Sequence, residues 1–328
     1  MRRAIAREVI RFCLLMIAVS IVTFALVAAS PIDPVQANIG QQALLGMSAE
    51  RRAELVAYWG ADTPMWERYL SWLGGVAHGD WGTSLRFNAP VVEVVGTRFL
   101  NSAALMAMAW VLSGALGFAL GVVSGAREGS FTDRIIHGAC IVFASTPAFW
   151  LALVALMVCS VYLGWFPLGF SVPIGAAADS ISLLTRLHHM MLPALVLAVT
   201  GISNSALQTR EKMIETLASP YARFSRARGE SVRTFALRHA VRNVAIPALT
   251  LQFASVSEIF GGSVLVEQVF SYPGLGQAAI TAGLGGDAPL LVGIALASAA
   301  FVFAGNAVAN LLYRVVDPRL RIQERRCA

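Results

Sequence analysis

The feature that most limits how this chain can fold is the spacing of its charges. No Asp, Glu, Lys or Arg lies between Arg11 and Asp33, Arg98 and Arg127, Arg134 and Asp179, Arg186 and Arg210, or Asp287 and Arg314. Each interval can hold the ~20 apolar residues that a helix needs to cross the hydrocarbon core of a bilayer. A sixth apolar stretch, from about Asn243 to Val266, is interrupted only by Glu258. Charged residues make up 13% of the 328, about half the ~25% of an ordinary soluble domain, and 57% are hydrophobic. The expectation is an all-α polytopic membrane protein with six transmembrane helices.

The basic residues orient those helices. With the N-terminus inside, 19 of the 25 basic residues fall on inner segments: Arg2 to Arg11, Arg127 and Arg134, Arg210 to Arg242, and Arg314 to Arg326. The positive-inside rule then puts both termini in the cytoplasm. The expected organisation is an N-terminus and first span over 1–29, an extracytoplasmic helical segment over 30–98 and a transmembrane core over 99–312. The core spans fall at about 100–123, 135–162, 189–207, 243–266 and 289–312, with a cytoplasmic loop at 209–243 and a tail at 313–328. The first stretch has the charged start of a secretory leader, but its uncharged run is longer than a leader's apolar core, so it reads as a span.

Several local features stand out along the chain. Ser48–Trp59 and Pro64–Gly75 read as amphipathic helices. Trp59, Trp66, Tyr69 and Trp72 suit anchors at the headgroup level, with a ligand-stacking surface as the alternative. Gly114, Gly117 and Gly121 make a smooth helix face for close approach. Pro147, in the middle of the third span, should kink it or mark a break beside a cavity. His188 and His189 point about 100° apart on a helix, which suits structural roles better than one shared ion. Glu258 is an ionisable group within a span, and it reads either as lining a path or as lying near an outer mouth where Gly261-Gly262 loosen the backbone. Cys13, Cys140, Cys159 and Cys327 suggest no disulfide framework.

Ser219 to Pro247 is the longest polar run between apolar segments in the second half. Six arginines fall between Arg223 and Arg242 against one acid, Glu230. Ser219 is an expected N-cap with Pro220 in the first turn, Gly229 can end that helix in the left-handed conformation, and Ser231 can cap the next. Tyr221, Phe224, Val232, Phe235, Ala236 and His239 recur at helical spacing. The result is a bent, basic, amphipathic unit that suits either a partner or an anionic lipid surface.

The chain has no GxxxxGK[ST] phosphate loop, HExxH, GxSxG or paired-cysteine zinc pattern. No catalytic, metal or cofactor residues are therefore assigned. The spans also lack the several acids of an ion-coupled carrier. A transporter of this composition must draw its energy from partners, and the basic corner is the natural place to receive it.

Residue strings along most of the chain resemble the permease subunits of binding-protein-dependent ABC importers, in the dipeptide/oligopeptide/nickel branch, as the first-permease subunit. GADTPMWERYLSWLGGVAHGDWGTS is similar to the branch's outer-segment pattern, and Ser145-Thr146-Pro147-Ala148-Phe149-Trp150 to its SxPxFW. YARFSRARG followed by RHAVRNVAIPALT, then VEQVFSYPGLG and DPRLR, resemble its later motifs. The EAAxxxG signature aligns with Gly229 as its glycine, so that Arg223, Phe224 and Ser225 stand in for E-A-A. Phe224 and Ser225 depart from the small residues expected there.

The resemblance implies the fold of a type I importer permease with an extracytoplasmic helical insertion after the first span, in a bacterial inner membrane. It implies ATPase coupling through Tyr221, Arg223, Phe224, Ser225, Arg226, Ala227, Arg228, Gly229, Arg238, His239, Arg242 and Asn243. A translocation path would use Glu258, Pro147 and Asn204. Implied partners are a second homologous permease, one or two kinds of cytoplasmic ATPase that bind ATP and Mg, and an extracytoplasmic binding protein, within the lipid bilayer and without nucleic acid. Cargo would be small peptides or nickel and metal-chelate complexes. The rival expectation is a stand-alone secondary transporter or channel, which would need intramembrane charge pairs or an inverted repeat.

Overall fold

The computed structural model describes residues 2–30, 64–171 and 182–316, with the isolated positions 37, 47, 48 and 50. The expected helix at Ser48–Trp59, the tail motif DPRLR and Cys327 lie outside the described residues. Helices dominate. They are α1 (Arg2–Ala28), α2 (Met65–Ala77), α3 (Val91–Ala126), α4 (Phe131–Ala144), α5 (Ala148–Ala155), α6 (Leu183–Ala218), α7 (Pro220–Ala227), α8 (Val232–Phe235), α9 (Val241–Ala254), α10 (Val256–Val269), α11 (Leu275–Leu284) and α12 (Ala288–Val316). Among the described residues, the one departure from the all-α expectation is a two-residue antiparallel pair, Thr83–Ser84 with Ala89–Pro90.

Among the described residues, α1, α3, α6 and α12 are each long and apolar enough to cross a membrane, and two bent helix pairs bring the number to six if each pair is one span. α3 and α6 have 36 residues each, or about 54 Å of rise, so they run well past a ~30 Å hydrocarbon core. The expected spans at 100–123 and 189–207 are thus the middles of longer helices.

The expected third span is not one helix. α4 ends at Ser145, and α5 starts after Pro147 and runs on into a π-helical turn, Leu156–Tyr162, with a bend of 108° between the two. Proline removes a backbone donor, and Thr146 Oγ1 donates to the Val142 carbonyl at 2.7 Å as α4 unwinds. The fifth stretch is also broken, by 50° between Ala254 and Val256, with no proline at the break. Helix α10 then continues through Gly261 and Gly262, so the backbone does not loosen after Glu258 as the sequence suggested. Helix α11 lies between the expected spans at 243–266 and 289–312, where the sequence places no helix.

The chain divides into two compact units. In the first (Met1–Ser102 with Pro273–Phe303), Val91, Val94 and Val95 pack with Leu275, Ala278, Leu290 and Ile294. Asp287 is buried there and accepts from Ser84 Oγ at 2.7 Å, Arg86 N at 3.0 Å and Leu290 N at 3.2 Å, so it caps α12 and holds the hairpin with one carboxylate. Helix α2 lies against α1: Tyr69 and Ser20 share a 2.9 Å hydrogen bond, and the Tyr69 and Trp72 rings meet Phe24. His188 and His189 belong to the second unit (Ala103–Tyr272 with Ala304–Ala328), where their ring nitrogens meet the carbonyls of Trp165 and Gly169 at 3.1 and 3.2 Å.

In that second unit, α3 and α6 pack almost backbone to backbone. A β-carbon on Gly121 would lie 2.5 Å from Thr209 Cβ and 2.6 Å from the Ala206 carbonyl oxygen, and Gly117 and Gly125 are equally tight against Ser205 and Met213. The glycine face read from sequence is therefore a real contact, extended by one turn to Gly125. Dispersion at such a short interaxial distance, rather than the hydrophobic effect, holds apolar helices together in lipid. Gly121→Val is expected to destabilise the protein by about 1–3 kcal/mol through overpacking. Thermal unfolding in detergent against Gly96→Ala, a position with nothing within 4 Å of a β-carbon, checks it.

Candidate functional site: a basic corner and a polar cavity

The corner at Ser219–Pro247 is built as its local residues dictate. Ser219 Oγ accepts from Ala222 N, and Pro220 opens α7 where a missing donor costs nothing. Gly229 ends the helix at φ +88° with open space around it, so backbone conformation alone demands glycine. Ser231 Oγ accepts from Thr234 N at 3.2 Å and starts α8, which passes through a π turn, Ala236–Ala240, into α9.

The inner side of the corner is a small core. Met213, Ala222, Phe235, Ala236, Ala240 and Val244 are buried together, flanked by Phe118, Val122, Ala126 and Leu217 from α3 and α6. Phe235 also packs edge-to-face with Tyr221 and stacks obliquely on His239. Ser225 is buried, its hydroxyl donates to Glu230, and Glu230 meets His239 Nε2 at 3.4 Å. Of the coupling residues expected from the resemblance, the side chains of Ser225 and His239 thus tie α7 to the following turn.

The outer side is exposed. Tyr221, Arg223, Phe224, Arg226, Ala227, Arg228, Arg238, Arg242 and Asn243 all face outward, with Phe224 at 64% and Leu237 at 74% exposure. The basic residues divide by role. Arg226 Nη2 donates to the Leu217 carbonyl at 2.9 Å and Arg223 Nη2 to Ala218 at 3.4 Å, satisfying carbonyls at the end of α6. Arg228, Arg233, Arg238 and Arg242 remain at the surface beside Phe224 and Leu237.

The corner is anchored by an ion pair that sequence reading did not single out. Arg210 Nε and Nη2 donate to Asp133 Oδ1 and Oδ2 at 2.7 and 2.8 Å, Ser124 Oγ donates to Oδ1 at 2.5 Å and Gly129 N to Oδ2 at 2.9 Å. Asp133 is 2% exposed. One carboxylate, with four donors, thus joins the ends of α3, α4 and α6. Charge-assisted bidentate pairs are strong, but removing one partner leaves an uncompensated buried charge. Arg210→Met should therefore cost about 3–5 kcal/mol. Combining it with Asp133→Leu should recover much of the loss, read from the unfolding midpoint.

The expected path residues divide differently. Asn204 and Glu258 line one cavity of about 210 Å³, between α6 and the broken α9–α10 pair. Pro147 sits at the α4–α5 break and is not among the residues lining it. Ser205, Gln208, Thr209, Gln252 and Ser255 complete the polar lining and are not singled out by the sequence, since polar residues one helical turn apart carry no motif. Gln252 is buried and spends its amide N–H groups on the Trp110 carbonyl and Ser113 Oγ at 2.7 and 2.8 Å, while Trp110 Nε1 donates to the Gln252 carbonyl at 2.8 Å. Helices α3 and α9 are therefore joined by a reciprocal polar contact behind the cavity. Among the described residues, no group of three His, Cys, Asp or Glu could hold a metal ion.

Two phenylalanines of the corner have opposite surroundings. Truncating the buried Phe235 to Ala is expected to cost about 3–5 kcal/mol, whereas Phe224→Ala should leave stability within about 0.5 kcal/mol. Denaturation of the two purified variants separates them.

Comparison with known proteins agrees with this architecture. Residues 117–322 match the family described as binding-protein-dependent transport system inner membrane component, and residues 1–109 match the N-terminal family of the same membrane components. The chain is 32% identical over 307 residues to the oligopeptide transport system permease protein AppB of Bacillus subtilis (strain 168), covering 93% of this chain and 95% of that protein. It is 33% identical over 323 residues to the dipeptide transport system permease protein DppB of Escherichia coli (strain K12), with 93% and 94% covered. The di/tripeptide transport system permease protein DppB of Pseudomonas aeruginosa (strain UCBPP-PA14) is 32% identical over 320 residues. The chain belongs to the inner-membrane permeases of binding-protein-dependent ABC importers, and is a transport subunit rather than an enzyme.

Proposed function

We propose that the chain is one permease half of an ATP-driven peptide importer. It has six spans and both termini in the cytoplasm, and is paired with a second homologous permease. Peptides are favoured over nickel or metal chelates because the relatives over nine-tenths of the chain are named as oligopeptide and dipeptide permeases. In this reading each bent pair, α4–α5 and α9–α10, counts as one span. An extracytoplasmic binding protein delivers the peptide, which passes Asn204 and Glu258 along the interface between the two permeases.

The observation that carries the coupling role is the two-sided corner. A short helix whose base is packed on α3 and α6 moves with them, and its outer face offers an aromatic and a leucine ringed by arginines. Such a face suits a cleft on a cytoplasmic ATPase, with the apolar side chains as anchors and the arginines at the rim. Closure of two ATPases around ATP and Mg would then swing the attached helices between inward- and outward-facing states. Phe224, where the family signature has a small residue, becomes an anchor in this reading.

The test is reconstitution in vesicles with the second permease, the ATPases and the binding protein. Labelled dipeptide is expected to accumulate only with ATP. Uptake by this chain alone, without ATPases, would instead establish the stand-alone carrier. Phe224→Ala is expected to weaken ATPase retention on the purified complex by roughly tenfold or more. Unaltered retention and unaltered coupling together would remove Phe224 from the docking face.

A further inference from the structure

The cavity between α6 and α9–α10 has a chemistry of its own. Its lining repeats at helical spacing on both sides: Asn204, Ser205 and Gln208 on α6, and Gln252, Ser255 and Glu258 across the break. The polar groups are hydroxyls, side-chain amides and one carboxylate, and no basic residue is among them. Thr209, also in the lining, is 2% exposed and packs its side chain against the Gly121 face of α3, so it closes the cavity wall rather than offering an accessible hydroxyl.

One negative charge among neutral acceptors selects for a compact cation with several donors. A primary ammonium supplies one charge and three donors. A carboxylate or phosphate would be repelled by Glu258, and a neutral amide would leave that charge unused. The volume of about 210 Å³ is below the ~300 Å³ of an ordinary small-ligand pocket, so it holds an end group rather than a whole peptide. A peptide's free N-terminus, with a pKa near ~8, is such a group and is charged at neutral pH.

Resting on the peptide-permease reading above, we propose that this cavity is a way-station for the primary ammonium group of a passing peptide. Glu258 supplies the counter-charge, and Asn204 accepts a hydrogen bond. The permease then adds its own selection for a cationic end to whatever the binding protein selects.

The test uses the detergent-purified complex of this chain with its partner permease and ATPases, without binding protein. Saturation-transfer NMR reads the affinity of Ala-Ala, N-acetyl-Ala-Ala and N-acetyl-Ala-Lys at millimolar concentration. Ala-Ala is expected to bind about tenfold or more tightly than N-acetyl-Ala-Ala, the usual strength of a hydrogen-bonded charge. Glu258→Gln should abolish that preference without weakening N-acetyl-Ala-Ala, and Glu258→Asp should retain part of it. Asn204→Leu should weaken Ala-Ala severalfold. Recovery of binding with N-acetyl-Ala-Lys supports the ammonium site and shows that a lysyl side chain also fills it; no recovery supports the site and restricts it to the terminus. A preference that survives Glu258→Gln, or a wild-type complex that does not discriminate or does not bind Ala-Ala, overturns the proposal. The two readings fail separately. Vesicles that take up dipeptide with ATP but show no such discrimination sink the ammonium site alone, and vesicles that never take up dipeptide sink the peptide-permease reading.

Discussion

The Asp133–Arg210 pair holds the part of the protein on which the rest depends. In an apolar setting a lone charge is so unfavourable that the groups around a buried carboxylate are effectively obligatory. Here they come from two helices and the turn that joins α3 to α4: Ser124 near the end of α3, the Gly129 amide just ahead of α4, and Arg210 on α6. Met213 and Leu217, within two turns of Arg210, form part of the floor beneath the corner. The direction in which α6 delivers that corner is therefore set by an ion pair, and the glycine face of α3 keeps α6 close enough for the pair to form.

Prolines show how far context decides geometry. Pro147 ends a helix and precedes a 108° turn, while Pro193 lies inside α6 and Pro247 inside α9 without breaking either. Each removes one backbone donor. Pro147 differs in following Ser145 and Thr146, whose conformations end α4, so that α5 begins immediately after it. The other break, at Ser255, has no proline, and it turns the chain so that Ser255 and Glu258 face the same cavity as Asn204.

The corner separates two uses of positive charge that look alike in sequence. Arg223 and Arg226 donate to the carbonyls that end α6, a structural use of charge at a helix C-terminus. Arg228, Arg233, Arg238 and Arg242 stay at the surface with Phe224 and Leu237. A purely electrostatic contact would need no exposed aromatic or leucine at its centre, and the proposed docking of an ATPase makes use of both.

Whatever depends on neighbours along the chain is legible in the residues alone. Charge-free intervals mark the apolar helices, Ser219, Pro220, Gly229 and Ser231 place the ends of the corner's helices, and Gly117 and Gly121 foretell a close helix contact, since each rests on local sterics or local hydrogen bonds. The family, too, was legible in its motifs. What depends on residues far apart follows from packing. It paired Asp133 with Arg210, sent Phe235 inward and Phe224 outward, broke the fifth stretch at Ser255 and gathered Asn204, Thr209 and Glu258 around one cavity. These outcomes follow from which helix faces meet, and an apolar stripe that is nearly continuous around each helix carries too little periodicity to say which face that is.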